Sequence, residues 1–337
     1  MSRNRVTVVI SQAQGKNPLR RALEESLAAT LLMEPGVDLS IVPHLYDLEE
    51  GHTGRLFLNS VSGDMIVLGW LFPRAGFWLL DRMGVKGLEG SSPMHPVAED
   101  DGEEAGEADP QEKAPAIGQT GDIPDRTITL LDLRAKPGYE PYLEEVRRLI
   151  GESKARREAQ VSVRPPVLVE LGLPKPAPVI DLTTLASAPA ARRWYPVIDY
   201  SRCTNCMQCL DFCLFGVYGV DGGERILVES QDNCKKGCPA CSRVCPEQAI
   251  MFPEYKTPAI AGAPVGVVTG LKIDLSKLFG GGDPSVTAAA ERDRELVKDG
   301  RDAVGLTVGM APRRAPRAPT VPDELDGLVD ALDKLEI

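Results

Sequence analysis

All eight cysteines of this 337-residue chain fall between Cys203 and Cys245. They form two sets, Cys203, Cys206, Cys209 and Cys213, then Cys234, Cys238, Cys241 and Cys245, the last followed by Pro246. A secreted protein stapled by disulfides would spread its cysteines along the chain and begin with a signal peptide. Here the apolar run Val6–Ile10 is too short for a secretory h-region. The apolar stretch from Met65 to Met83 is broken by Pro73, Arg74 and Gly76, so no bilayer-spanning segment is expected. The expectation is a cytoplasmic chain whose thiols bind metal.

The spacing says which metal chemistry fits. Three cysteines in one tight loop can each reach a different iron of one cubane, and a fourth on the next helical turn points away to serve a second. This is the run C-x2-C-x2-C-x3-C-P, in which the fourth thiolate crosses over. Val197-Ile198-Asp199 precedes the first set and Leu227-Val228-Glu229 the second, so the unit recurs after about thirty residues. Two structural zinc sites are the alternative for eight thiolates, but zinc modules generally pair C-x2-C knuckles from separated segments.

Over residues 194–255 the sequence resembles the bacterial dicluster [4Fe–4S] ferredoxins. The resemblance implies an α+β (βαβ)2 domain holding two [4Fe–4S] clusters. It implies that Cys203, Cys206, Cys209 and Cys245 hold one cluster, and Cys234, Cys238, Cys241 and Cys213 the other. Two positions depart from the family pattern. Leu214 stands where a proline usually follows the fourth cysteine, and three residues separate Cys234 from Cys238, with Gly237 giving that loop room. Phe212, Leu214, Phe215, Ile250 and Met251 are expected to shield the clusters from water.

The first 155 residues read differently. Val6–Ile10, Val37–Val42, Asp64–Leu71 and Thr127–Leu133 are β-branched or continuously apolar runs, as strands buried on both faces require. Between them lie helical patterns: one opened by Asn17-Pro18 with Leu19, Leu23, Leu27 and Leu31 at four-residue spacing, then Ala75–Met83 and Tyr139–Ile150. Alternation of this kind predicts an open, mostly parallel, flavodoxin-like α/β sheet.

The rest of the chain looks irregular. Residues 93–125 carry Glu99, Asp100, Asp101, Glu103, Glu104, Glu107 and Asp109 with no apolar periodicity, and read as a disordered acidic insertion. Seven prolines between Pro165 and Pro196 make residues 156–193 a strap or linker. Residues 256–337 read as an irregular tail. Within it Ala288–Val297 has a helical pattern, and Leu325, Leu328, Val329, Leu332 and Leu335 share one face of an amphipathic helix at 323–336 that could pack on its own chain or dock on a partner.

In an open α/β sheet, ligands bind at the carboxyl ends of the strands. Those ends carry Ser11 to Asn17, His44 to Tyr46, and Trp70 to Arg74. The first loop could offer N–H groups to an anion, with Lys16 and Arg74 adding charge. It matches neither G-x-x-x-x-G-K-[ST] nor G-x-G-x-x-G, and Ser11 is its only hydroxyl, so a flavin is a minor expectation. A formal charge of -11 argues against nucleic acid as a partner. With no independent catalytic constellation, the leading expectation is electron transfer between protein redox partners, as carrier or as subunit of a cytoplasmic redox complex. An oxidoreductase with a flavin or nucleotide in the first domain, and a redox-sensing or scaffold protein, are the other readings.

Overall fold

The computed structural model describes residues 5–94, 115–163, 191–264 and 292–294. The expected acidic insertion over 95–114, the strap over 164–190 and the amphipathic helix at 323–336 lie outside the described residues, as does Ala288–Val297 except for the helical residues 292–294. Met1–Ala288 and Ala289–Ile337 are separate compact units, and the sheet, its helices and all eight cysteines lie in the first.

Strands β1 (Val6–Ser11), β2 (Val37–Val42), β3 (Met65–Gly69), β4 (Leu88–Gly90) and β5 (Thr127–Asp132) form one sheet in the order β2-β1-β3-β5-β4, every pair parallel. β3 sits at its centre and is buried along its whole length, which is why its sequence shows no alternation. Side chains alternate between two cores. Val8, Ile10, Ile66, Leu68 and Leu131 face Leu27 and Leu31 of α1 (Pro18–Leu32) and Tyr142, Val146 and Leu149 of α4 (Glu140–Val163). Val9, Met65, Val67, Ile128 and Leu130 face the other way, toward Leu58 of α2 (Thr53–Ser60) and Phe77, Trp78 and Leu80 of α3 (Pro73–Arg82). At Gly76 the α3 backbone comes so near the sheet that a Cβ would strike the side chain of Leu130.

α4 continues past the expected end at Ile150 to Val163. Its polar second half carries no apolar stripe. Asp64, before β3, holds it instead, accepting from Ser153 and pairing with Arg156 at 2.5 Å and Arg157 at 3.6 Å. Periodicity does not register such tertiary ion pairs. α2 and the three-residue edge strand β4 were likewise not expected, since both are short and neither carries a long apolar pattern.

The second layer of the core is completed from later in the chain. Tyr195, Val197, Met251, Ala261 and Ala263 pack with Phe72, Ala75 and Trp78 in one apolar cluster. Tyr46 and Tyr195 lock the two segments reciprocally: the Tyr195 amide donates to the Tyr46 hydroxyl at 2.7 Å and the Tyr195 hydroxyl to the Tyr46 carbonyl at 2.9 Å. The described part of the chain therefore has the cysteine-bearing segment fastened onto the α3 face of the sheet, not strung beside it. Among the described residues no helix is long and apolar enough to cross a membrane.

Candidate metal centre

Two short antiparallel strand pairs frame the cysteines. β6 (Val197–Ile198) pairs with β9 (Ile250–Met251), and β7 (Tyr218–Val220) with β8 (Ile226–Val228). The first cysteine loop joins β6 to α5 (Gln208–Phe212), and the second joins β8 to α6 (Ala240–Val244); α5 and α6 pack together. Strand, loop, helix and strand thus occur twice, as the repeat in the sequence implied.

Each loop is bent by backbone in the left-handed region. In the first, Asn205 and Met207 have φ of 59° and 61°, and the Asn205 side chain is held at both ends, donating to the Glu224 carbonyl at 2.8 Å and accepting from Ile226 N–H at 2.9 Å. In the second, Gly237 takes φ 86° and the Cys238 amide bonds the Lys235 carbonyl at 3.1 Å, so the glycine absorbs the extra residue between Cys234 and Cys238.

The eight thiols come together in two groups. Cys203 and Cys209 are under the electrostatic influence of Cys206 and Cys245, whereas Cys234 and Cys241 are under that of Cys238 and Cys213. In each group, the fourth member comes from the other half of the repeat. A small cavity is lined by Cys203, Cys206, Cys209 and Cys245, with Ile198, Ile226 and Ile250 as apolar walls. Among the described residues, no three cysteines bring their sulfurs within 4.8 Å of one another. Around one zinc at about 2.3 Å per Zn–S bond, tetrahedral thiolates stand only about 3.8 Å apart. Both quartets are more open than that.

Burial pushes the Cys209 thiol up to about 12 and raises Cys203, Cys234 and Cys241, with neighbouring cysteines adding to the effect in each case. Such sulfurs stay protonated at neutral pH until a positive charge replaces the protons, which is the behaviour of metal ligands. The Ala249 amide meets Cys245 Sγ at 3.3 Å. The Tyr218 hydroxyl is wholly enclosed and makes no hydrogen bond, to sulfur or otherwise, and the Cys241 sulfur is among its neighbours. A buried phenol of this kind fits a thiolate acceptor, so the donor set suits a charged, sulfur-ligated group.

Of the expected shielding residues, Ile250 and Met251 are buried, Phe212 and Phe215 are half-buried, and Leu214 is 49% exposed. Met251 faces the α/β core rather than the thiols. Leu214 turns outward because the chain leaves the helix at Cys213 and bends toward Gly216, φ 65°. The end of the acidic insertion is placed at the first quartet: Ile117 and Gly118 donate to the Cys203 and Tyr200 carbonyls at 2.9 and 2.8 Å.

The strand-end loops of the first domain hold their donors internally. Asn17 caps α1 through bonds from the Leu19 and Arg20 amides at 3.0 and 3.4 Å, and the Glu24 carboxylate accepts from Ala13 N–H at 2.5 Å and Trp70 Nε1 at 2.7 Å. The Ala13 N–H of this loop is thus bound by a carboxylate of the chain itself. Arg74 is bound to Asp199 at 2.5 Å, which removes it from any anion site there. His44 is buried, its Nδ1 3.3 Å from Gln14 Nε2, and groups with Asp47 and Glu254, all three offering atoms within 4.8 Å of one another. Burial and the nearby Arg20, Arg192 and Arg134 lower His44 to about 4, and burial with the Asp47 charge raises Glu254 to about 7. Asp47 and Glu254 stand 207 positions apart in the sequence, which gave no sign that they meet.

No protein-family model matches the chain, and no solved structure matches it. An uncharacterized ferredoxin of Methanocaldococcus jannaschii is 47% identical to it over 66 residues, 19% of this chain and 44% of that protein. The chain therefore carries a ferredoxin-like segment and spans less than half the length of this relative.

Proposed function

We propose that the protein transfers electrons through two [4Fe–4S] clusters, one held by Cys203, Cys206, Cys209 and Cys245, the other by Cys234, Cys238, Cys241 and Cys213. The observation that carries the reading is the grouping of the eight cysteines into two quartets, each borrowing one cysteine from the other half of the repeat. The ferredoxin-like segment and the spread of the sulfurs beyond a mononuclear zinc site favour the same conclusion.

When bound, the cubanes supply one-electron storage at potentials set by charge, hydrogen bonds to sulfur and exposure to water. The chain's own contribution is to hold the thiolates apart and keep them dry. Ile198, Ile226 and Ile250 wall the first quartet, and Val217 and Val228 belong to the same buried cluster as Cys241. The exposed Cys206 brings the first quartet to the surface, where a protein partner could approach within tunnelling reach.

The α/β domain serves this reading as a rigid platform for the cysteine segment and for partner docking, within a cytoplasmic redox complex or as part of a carrier. Anaerobic purification with iron and acid-labile sulfide assay tests the proposal. About eight of each per chain are expected, four for each cubane. Zinc bound in their place would overturn it.

A further inference from the structure

The two halves of the cysteine segment differ at an equivalent position beside the sulfurs. Tyr218 lies five residues after Cys213 and Ile250 five residues after Cys245. Each opens its strand, Tyr218 paired with Val228 in β7–β8 and Ile250 with Ile198 in β6–β9. Ile250 presents only hydrocarbon to the cavity of the first quartet. Tyr218 instead buries a hydroxyl that makes no hydrogen bond in the structure, to sulfur or otherwise, and that has the Cys241, Cys209 and Cys213 sulfurs as its electrostatic neighbours.

From this asymmetry we infer that Tyr218 donates a hydrogen bond to the Cys241 thiolate and so sets the potential of the cluster in the second quartet separately from that of the first. The inference rests on the two-cluster reading. Reduction adds negative charge that spreads onto the cysteine sulfurs, and an O–H dipole aimed at one of them stabilises the reduced state more than the oxidised one. Buried among Val217, Ile226 and Val228, the bond is little screened by water. Tyr218 is a positioning residue: it touches a ligand, not the metal. Backbone N–H groups reach the first quartet, at Cys245 from Ala249, but Tyr218 is the side-chain donor that a substitution can remove without altering the loop.

The test is a potentiometric titration of the purified, cluster-loaded full-length chain followed by electron paramagnetic resonance, comparing the natural protein with Tyr218→Phe. The variant is expected to make one cluster harder to reduce by about tenfold in its equilibrium, about 59 mV for one electron, and to leave the other nearly in place. Both steps unmoved, or both moved alike, overturns the inference. Iron and sulfide are counted on the same samples. Loss of the two-cluster reading would appear there as wrong stoichiometry in the natural protein, whereas failure of the Tyr218 inference would appear as unmoved potentials at full loading. If Tyr218→Phe does not load, the natural sequence grown with 3-fluorotyrosine, a stronger donor, takes its place. Its second-quartet cluster should then become easier to reduce, and an unchanged potential overturns the inference.

Discussion

Arg74 of α3 binds Asp199, the residue after β6, with Nε 2.5 Å from Oδ2, and its Nη2 donates to the Gln248 carbonyl at 2.6 Å. Asp199 is 2% exposed and anchors the first cysteine loop: its carboxylate accepts from Ser201 and its carbonyl from the Cys203 amide at 3.0 Å. One guanidinium thus joins the sheet domain to the backbone that carries the first thiol.

Removing it leaves a buried carboxylate without its partner. Arg74→Met should destabilise the protein by about 3–5 kcal/mol, the usual cost of breaking a buried pair on one side. Adding Asp199→Asn should recover part of the loss, because the stranded charge goes with it. Denaturant unfolding of the two variants checks this; a double variant no better than Arg74→Met contradicts it.

Glu254 gives a pH dependence with a definite sign. Burial first, then the charge of Asp47, raises its carboxyl to about 7 from an ordinary 4.5. Between those values the folded chain holds a proton that the unfolded chain has released, so this group's contribution to stability falls as pH rises from 4.5 through 7. Glu254→Gln should leave the thermal midpoint unchanged near pH 4 and raise it at pH 8 by about 2–4 °C, the shift expected for roughly 1 kcal/mol at this size once the part-exposure of the group is allowed for. An equal rise at both pH values would contradict the assignment.

The contact of α3 with the sheet predicts a packing effect away from the cysteines. Gly76→Ala places a methyl group against the Leu130 side chain. Overpacking of this kind costs about 1–3 kcal/mol, against the small gain that alanine brings to an exposed helix position. A variant as stable as the natural protein, measured by thermal unfolding, would show that Leu130 has room to turn aside.

Four strands of the first domain could be read in the sequence from their β-branched or apolar runs, of which β1, β3 and β5 are buried nearly throughout: β2 runs over Val37–Val42 as expected, and β1, β3 and β5 differ from expectation only at their ends. The first half of α4 was legible from its apolar stripe and the second half was not, since Asp64 holds it through charge. The two cysteine sets were visible as spacing. Their attachment to the sheet was not, because Tyr46 and Tyr195, or Arg74 and Asp199, meet only after the chain has folded and leave no periodic trace. Tyr218 could have been noticed by laying Cys213 onto Cys245 and reading five residues on.

The crossing of thiolates between the two halves is tested most directly by pairs of alanine substitutions with iron and sulfide counted on anaerobically purified chains. Cys213→Ala with Cys234→Ala removes two ligands from one quartet, and about half the iron should remain. Cys209→Ala with Cys213→Ala removes neighbours in sequence that serve different quartets, and iron should fall well below half. If the neighbouring pair retains half the iron and the distant pair loses nearly all of it, each loop keeps its own four cysteines and the crossing does not occur.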